Sequence, residues 1–348
     1  MESEHGTGID FVVAWVDGSD PAWLREKAAW SGGDSGGDIL AADGRDVRYR
    51  DYGLLRYWFR GVERFAPWVR RIHFVTWGHM PPWLNTGHPK LRVVRHGDFI
   101  PKEFLPTFNA NAIELNLHRI EGLSERFVYF NDDMFLLAPA RETDFFRNGM
   151  PCDLLAFQPV ISIPEDPVFS CMLLNNALTV SRHFGKRENV RKQPWSYFRI
   201  GYSPLHFFYN LVDLAFARYT GMYDSHGPAS FRKEAFRELW EKEERLLRET
   251  SSHRFRSRDD VTDYLVRDWQ KLTGNFHARN IRKDLTYFAI SEDNRRLCQT
   301  IERQRKKIIC INDGNEGIDF DRAMDELRSA FDTILPERSG FEKAAPGG

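Results

Sequence analysis

Three apolar runs in this 348-residue sequence end in acids where a buried strand should stop. Asp17 follows "VVAWV", Asn131-Asp132-Asp133 follow "FVYF", and Asn312-Asp313 follow "IICI". Adjacent carboxylates beside an apolar stretch repel each other and are costly to desolvate. If the three strands run parallel, their acids converge on one sheet edge, outside the carboxyl ends where open α/β sheets bind ligands. Clustered carboxylates there suit a hard divalent cation that bridges to a diphosphate. The alternative is local, because aspartate and asparagine also end strands as turn formers.

A second group lies in "LPTFNANAIELNLHRI" (105–120). On a helix, Asn111, Glu114 and His118 share the face opposite Ile113, Leu117 and Ile120. Asn111 as N-cap with Glu114 as its capping-box partner would explain two of these, leaving His118 and Arg119 without a structural role. A third group is cationic. Arg48 and Arg50 precede a helix and have the forked geometry that grips phosphate, whereas Arg60 is expected on a solvated helix face. His226, in "YDSHGPAS", and Arg256, in "RFRSRDDV", each sit just before a helix, a position that favours anions. Each is equally open to a solvated or structural role. Together the groups point to an anionic, diphosphate-containing substrate, a divalent cation and a histidine that moves a proton near neutral pH. The glycine-rich dinucleotide fingerprint and the P-loop are missing from the sequence, which excludes the dehydrogenases and kinases built on them. Residue chemistry alone stops at a metal-assisted group transferase, and an Asp-Asp pair after a strand equally suits a nucleotide-sugar glycosyltransferase.

The elements that must position these residues alternate. Strands are predicted at 10–16, 71–76, 91–96 and 126–130, with helices from Asp51 and from about Asn111 to Glu121. This is the pattern of an α/β domain with a largely parallel sheet flanked by helices. Residues 141–225 form a mixed insertion, expected to face the acceptor. From 230 onward helices dominate, broken by a strand in 306–313. The expected organisation is one catalytic domain over 1–335, with 10–136 as its core, 226–335 completing the site and a flexible tail at 336–348. "SGGDSGGD" (31–38) is expected to be a flexible loop.

Hydrophobic residues at 42% place the chain among globular proteins, and a net charge of −1 gives no nucleic-acid signal for the whole chain. The basic segment 182–192 suits either an anionic polymer, a membrane surface or plain solvent. "PLHFFYNLVDLAFARYTGMY", interrupted by Asp213 and Arg218, is expected to be a core helix rather than a membrane span. The N-terminus lacks a signal peptide's basic start and apolar core, and the four cysteines lack close metal-type pairing. Both features suit a reduced, cytoplasmic enzyme.

At these same residues the sequence resembles a known family. "VVAWVDGSDPAW" (12–23) is similar to the first conserved block of the Stealth proteins. These are bacterial capsular and exopolysaccharide phosphotransferases, related to the catalytic subunit of the animal GlcNAc-1-phosphotransferase. "RYRDYGLLRYWFRGVERFAPWVRRIHFVT", "PPWLNTGHPKLRVVRH" and "LPTFNANAIELNLHRIEGLSERFVYFNDDMFL" together resemble the second block. "HGPASF" with "FRSRDDV" resembles the third, and "KKIICINDG" the fourth. Trp77, His79 and Leu115 depart from the family pattern, which bears on acceptor or sugar preference.

The resemblance implies a Rossmann-like, GT-A-like fold and transfer of a sugar 1-phosphate from a nucleotide sugar, often UDP-GlcNAc, to a glycan hydroxyl. A phosphodiester forms and the nucleoside monophosphate leaves. By this resemblance Trp15, Asp17, Gly18, Asp20, Arg48, Arg50, Asn109, Glu114, His118, Arg119 and Asn131 bind or orient the donor. Asp132, Asp133 and Asp313 organise Mg2+ or Mn2+, His226 is the general base with Asp133 as its runner-up, and Arg256 stabilises the transferring phosphoryl group. The implied partners are a nucleotide sugar and a glycan or polysaccharide acceptor, in the cytoplasm or at the inner membrane face. A metal-dependent glycosyltransferase that releases the nucleoside diphosphate is the alternative.

Overall fold

The computed structural model describes residues 8–31, 49–164, 166–312 and 318–344. "SGGDSGGD" from position 32 on, Arg48, Asp313 and residues 345–348 lie outside them. The valine- and phenylalanine-rich runs form strands β1 (Ile9–Ala14), β2 (Ile72–Thr76), β3 (Leu91–Arg95) and β4 (Arg126–Asn131). These pair in parallel in the order β3-β2-β1-β4, and Ala14 lies level with both Val75 and Asn131. The shorter strands are β5 (Met134–Leu136), β6 (Phe146–Arg147), β7 (Met150–Asp153), β8 (Ala229–Arg232), β9 (His277–Ala278), β10 (Leu285–Ala289) and β11 (Ile308–Asn312). β8 completes the main sheet antiparallel to β4, while β10-β11-β5 and β6-β7-β9 form two smaller sheets. The helix-flanked, mainly parallel sheet expected from the sequence is present.

Side chains of a strand alternate between faces, and β4 shows what that does. Val128 and Phe130 join a core with Trp58, Phe59 and Phe331 from helices Leu55–Phe65 and Phe320–Ile334. Phe127 and Tyr129 join a second core with Phe236, Leu239 and Leu265 from helices Lys233–Lys242 and Tyr264–Thr273. Each fully buried large apolar side chain contributes roughly 1.5–3 kcal/mol, so β4 is held from both sides.

Five local expectations change. Residues 229–232, expected at the start of a helix, pair with β4 as β8 because Phe231 packs on Phe127 and Phe236. The helix expected over 111–121 is a short α-helix, Ala110–Glu114, followed by a 3-10 turn, Leu117–Arg119. Its cap is Asn109, whose side chain accepts from the Asn111 amide, and Asn111 is buried. Arg60 is buried rather than solvated, forked onto Glu342 at 2.7 and 3.0 Å and donating to the Leu335 carbonyl. That pair also corrects the tail, since Phe341 and Glu342 pack into the structure. Finally, helix Pro204–Asp213 is not a core helix: its polar residues His206, Asn210 and Asp213 face inward and, Phe207 apart, its large apolar ones Leu205, Phe208, Leu211 and Val212 face out.

Candidate active site

β4 does not end in solvent after its acids. Asp132 and Asp133 make a tight corner, and the chain continues as β5, which leaves the parallel sheet and pairs with β11. Asn131 to Asp133 are therefore the corner between two sheets. The Ile311 amide donates to the Asp133 carbonyl at 2.8 Å, so the C-terminal end of β11 arrives at the same place. β11 lies outside the main sheet and runs antiparallel to β5, so the expected convergence of three parallel strand ends is not what forms the corner. Ile311 brings β11 there, while the Asn312 side chain donates to the Tyr287 hydroxyl. Asp17 follows β1 on the same edge of the main sheet.

Two side chains meet the Asp133 carboxylate. Its Oδ2 lies 3.3 Å from His226 Nε2 and accepts from the Cys310 thiol at 3.2 Å. Its Oδ1 is buried and makes no hydrogen bond among the described residues. Burial and the Asp133 charge push the Cys310 thiol well up, so it stays a protonated donor. On its far side, His226 Nδ1 meets the Tyr264 hydroxyl at 3.3 Å. Ligand atoms of Asp133, His226 and Cys310 all fall within 4.8 Å of one another, close enough to hold a metal ion. The His226 side chain is 39% exposed against 14% for Asp133, which leaves the imidazole reachable from outside.

The loop that presents His226 is held from below by buried ions. Arg267 forks onto Asp153 with two 3.0 Å bonds and donates to the Ser225 carbonyl at 2.9 Å. Lys271 binds the Tyr223 carbonyl, Asp224 and Asp268. Two cations thus face three acids. The excess falls on Asp268, whose carboxyl burial and the neighbouring Asp224 push up.

Beside His226 lies a second set of acids. Glu114 is buried and accepts from the Tyr129 hydroxyl at 3.1 Å. Burial, then the Asp263 carboxylate, push Glu114 well up, while the Arg256 charge opposes the shift. Asp263 is likewise pushed up by burial. Arg256 stands in a loop whose organiser is the buried Asp260. That carboxylate accepts from Asn109, Asn111, the Ser257 amide and His253, at 2.6–3.1 Å. Phe255 stacks on Phe108 at 5.3 Å, and both join Trp23 in a small aromatic cluster bordered by Val16, Tyr49 and Trp77. This cluster ties the segments carrying Asp17, Asn109 and Arg256 together.

The remaining predicted residues divide. Trp15 is buried, stacked on Phe74 with His79 against its edge. The Asp17 amide donates to His79 Nε2 at 2.8 Å, so one of the departing residues, His79, buttresses the predicted donor loop. Gly18 is required by space: a Cβ there would meet the Tyr49 carbonyl oxygen at 2.1 Å. Asp20 caps helix Pro21–Ser31 through the Ala22 and Trp23 amides. Arg50 lies over the Phe320 ring at 4.4 Å. Asn109 binds Asp260, and Asn131 ends β4 at the corner. His118 and Arg119 are not brought to the cluster. His118 stacks on Phe236 at 5.4 Å and Arg119 on Trp240 at 4.6 Å, on the Phe127 side of β4 rather than at its acidic end. The sequence reading missed Tyr129, Cys310, Asp263 and Tyr264. The signal available was the alternation of β4, which places Tyr129 beside the acids, and the acid pair Asp259-Asp260 followed by Asp263-Tyr264 within one short stretch.

Residues 48–153 match the description of Stealth protein conserved region 2, residues 7–35 that of conserved region 1, and residues 225–262 that of conserved region 3. A capsular polysaccharide phosphotransferase of Streptococcus pneumoniae is 40% identical over 335 residues, covering 96% of this chain and 98% of that protein. An exopolysaccharide phosphotransferase of Lactiplantibacillus plantarum is 40% identical over 341 residues, covering 96% of each. Among solved structures, the galactosyltransferase LgtC with donor and acceptor sugar analogs aligns at a TM-score of 0.38 and 12% identity, over 92% of this chain and 96% of that one. The matched regions carry the Asp17 loop, the acid corner and the His226 loop, and the chain belongs to the Stealth protein family.

Proposed function

We propose that this protein transfers a sugar 1-phosphate, a hexose- or N-acetylhexosamine-1-phosphate, from a nucleotide sugar such as UDP-GlcNAc to a hydroxyl of a glycan acceptor in surface-polysaccharide synthesis. The observation that carries the reading is the 3.3 Å approach of a reachable His226 imidazole to the Asp133 carboxylate at the sheet corner. The His226 imidazole takes the proton of the acceptor hydroxyl, and Asp133, 3.3 Å from Nε2, stabilises the imidazolium that forms. Tyr264 holds the opposite ring nitrogen and so sets the direction of the ring. The acceptor oxygen bonds to the phosphorus next to the sugar, the bond to the nucleoside monophosphate breaks, and Arg256 faces the charge on the phosphoryl oxygens. Glu114 and the Asp17–Gly18 loop orient the sugar and the nucleotide. His118 and Arg119 are given no part in the chemistry.

The residues present fit a hard divalent cation, since the buried Asp133 Oδ1 has no hydrogen-bond partner among the described residues and Asp132 adjoins it. Asp132 and Asp133, with Asp313 from outside the described residues, would hold Mg2+ or Mn2+. When bound, the cation offsets the charge of the diphosphate. Among the described residues no helix is long and apolar enough to cross a membrane. The four cysteines are free, which suits the reducing cytoplasm.

Incubation with a panel of nucleotide sugars and Mg2+, with identification of the nucleotide released, tests the reading. UMP or another nucleoside monophosphate supports phosphoryl transfer. Release of UDP would replace it with glycosyl transfer, and full turnover in EDTA would remove the cation.

A further inference from the structure

Helix Pro204–Asp213 is built inside out. Its buried Asn210 accepts from the Phe157 amide and donates to the Tyr197 carbonyl, both at 2.7 Å. Its buried Asp213 pairs with Lys186 and accepts from the Thr220 hydroxyl. The opposite face carries Leu205, Phe208 and Leu211, and Phe216 follows, each between 49 and 66% exposed. On the preceding turns Trp195 is 81% and Ile200 98% exposed. The Asn210–Tyr197 bond and the Phe198–Phe207 contact at 6.1 Å bind those turns to the helix, so the exposed apolar groups stand on adjoining elements.

The folded chain gains nothing from these side chains in water, and a contiguous exposed apolar patch marks an interaction site. The same stretch carries the exposed cations Arg187, Arg191, Lys192, Arg199 and Arg218, with Glu188, paired to Lys192 at 2.7 Å, the one exposed acid between residues 186 and 218. Lys186 ties the helix that bears the first three of these to the carbonyls of Asp213, Phe216 and Arg218.

We propose that this surface docks on an anionic phospholipid bilayer, with the aromatic and leucine side chains entering the interfacial region and the arginines and lysine meeting lipid phosphates. Charge decides between occupants. A two-fold contact with a second copy brings five cations onto five, which repel. A soluble polyanion neutralises the cations and leaves Trp195, Ile200 and Phe208 in water, whereas an anionic bilayer satisfies both. Docking also reaches the site, because His206 of this helix packs against the Tyr223 ring at 4.8 Å, three residues before His226. This surface stands independently of the proposed reaction.

The test is co-sedimentation of the full-length protein with vesicles of phosphatidylcholine alone and of phosphatidylcholine mixed with phosphatidylglycerol. The mixed vesicles should pellet the protein at low salt, and the neutral ones much less. The combined change Phe208→Ser, Leu211→Ser, Phe216→Ser should weaken binding at least about tenfold. Arg187→Glu, Arg191→Glu, Lys192→Glu should do the same and flatten the salt dependence. Melting temperatures should hold, since every altered side chain is exposed. As a check independent of those variants, brominated lipid should quench a tryptophan emission component that Trp195→Phe lacks. Wild-type protein that stays in solution with mixed vesicles overturns the proposal, as does binding indifferent to both variants. A dimer that the serine variant splits, without vesicle binding, assigns the face to self-association instead.

Discussion

Two groups of buried charge lie on either side of the His226 loop, and they are finished differently. Below the loop, Arg267 and Lys271 meet Asp153, Asp224 and Asp268, whose carboxyl is pushed up by burial, and the guanidinium is bonded on three nitrogens. Burial alone would raise Asp153, yet Arg267 and Lys271 hold its carboxyl below the ordinary range. Above the loop, Asp133 keeps an oxygen without a hydrogen bond, and Glu114 and Asp263 are pushed up by burial. The lower group is bound up in salt bridges and holds position, although Asp268 Oδ1 and Ser225 Oγ also lack hydrogen bonds among the described residues. The upper group is open, and its excess of acid suits a cation and a phosphorylated donor. Local charge of similar density thus does two jobs, and the pairing of the lower acids with a buried arginine and lysine tells them apart.

The comparison breaks first at His226. His226→Ala should lower turnover by about a thousandfold or more, with nucleotide-sugar binding and melting temperature near wild type. Equal loss of binding and turnover would return His226 to a structural role. Asp153→Asn should behave in the opposite way. It leaves Arg267 buried without its carboxylate and should cost about 3–5 kcal/mol in a denaturant titration. Activity then falls because the loop is lost with the fold. A sharper test neutralises one acid of the open group. The folded pKa of Asp263 lies above its unfolded value, so the stability tied to its proton is present at low pH and lost as pH rises through the folded value. Asp263→Asn should therefore stabilise the protein above neutral pH, on the order of 1–3 kcal/mol, and less so near pH 4. Destabilisation at high pH would mean that the open group is closed after all.

What was legible in the sequence follows from the range of the interactions. The parallel strands were readable because each is a short run of valine and aromatic residues stopped by turn formers. The acids at positions 132 and 133 were readable because their placement is locally unfavourable. Arg60 was misread because its partner Glu342 lies 282 residues away. The cap at 110–114 was misread because Asn109 and Asn111 are two residues apart, and only the buried Asp260 binding both decides which one caps. Helix 204–213 was misread because apolar composition states how much surface wants burial, not which side receives it. Cys310 looks like any core strand residue until Asp133 is placed beside it.

The smallest effect concerns a histidine outside both groups. His118 is stacked on Phe236, and burial, with Arg119, Lys233 and Arg237 nearby, pushes it down to about 3. An unfolded histidine titrates near 6.5, so below about that pH the unfolded chain binds a proton that the folded one refuses. Stability from His118 is full above the unfolded value and is lost progressively as pH falls toward the folded one. His96, buried and pushed down to about 4, adds to the same trend. His118→Phe keeps the aromatic contact and removes the titration. The drop in melting temperature between about pH 7.5 and about pH 5 should shrink by a few degrees, with turnover at neutral pH within about twofold of wild type. A large loss of turnover with an unchanged acid response would move His118 from the packing around Phe236 into the open group, and the line between the two kinds of buried polar group would need redrawing.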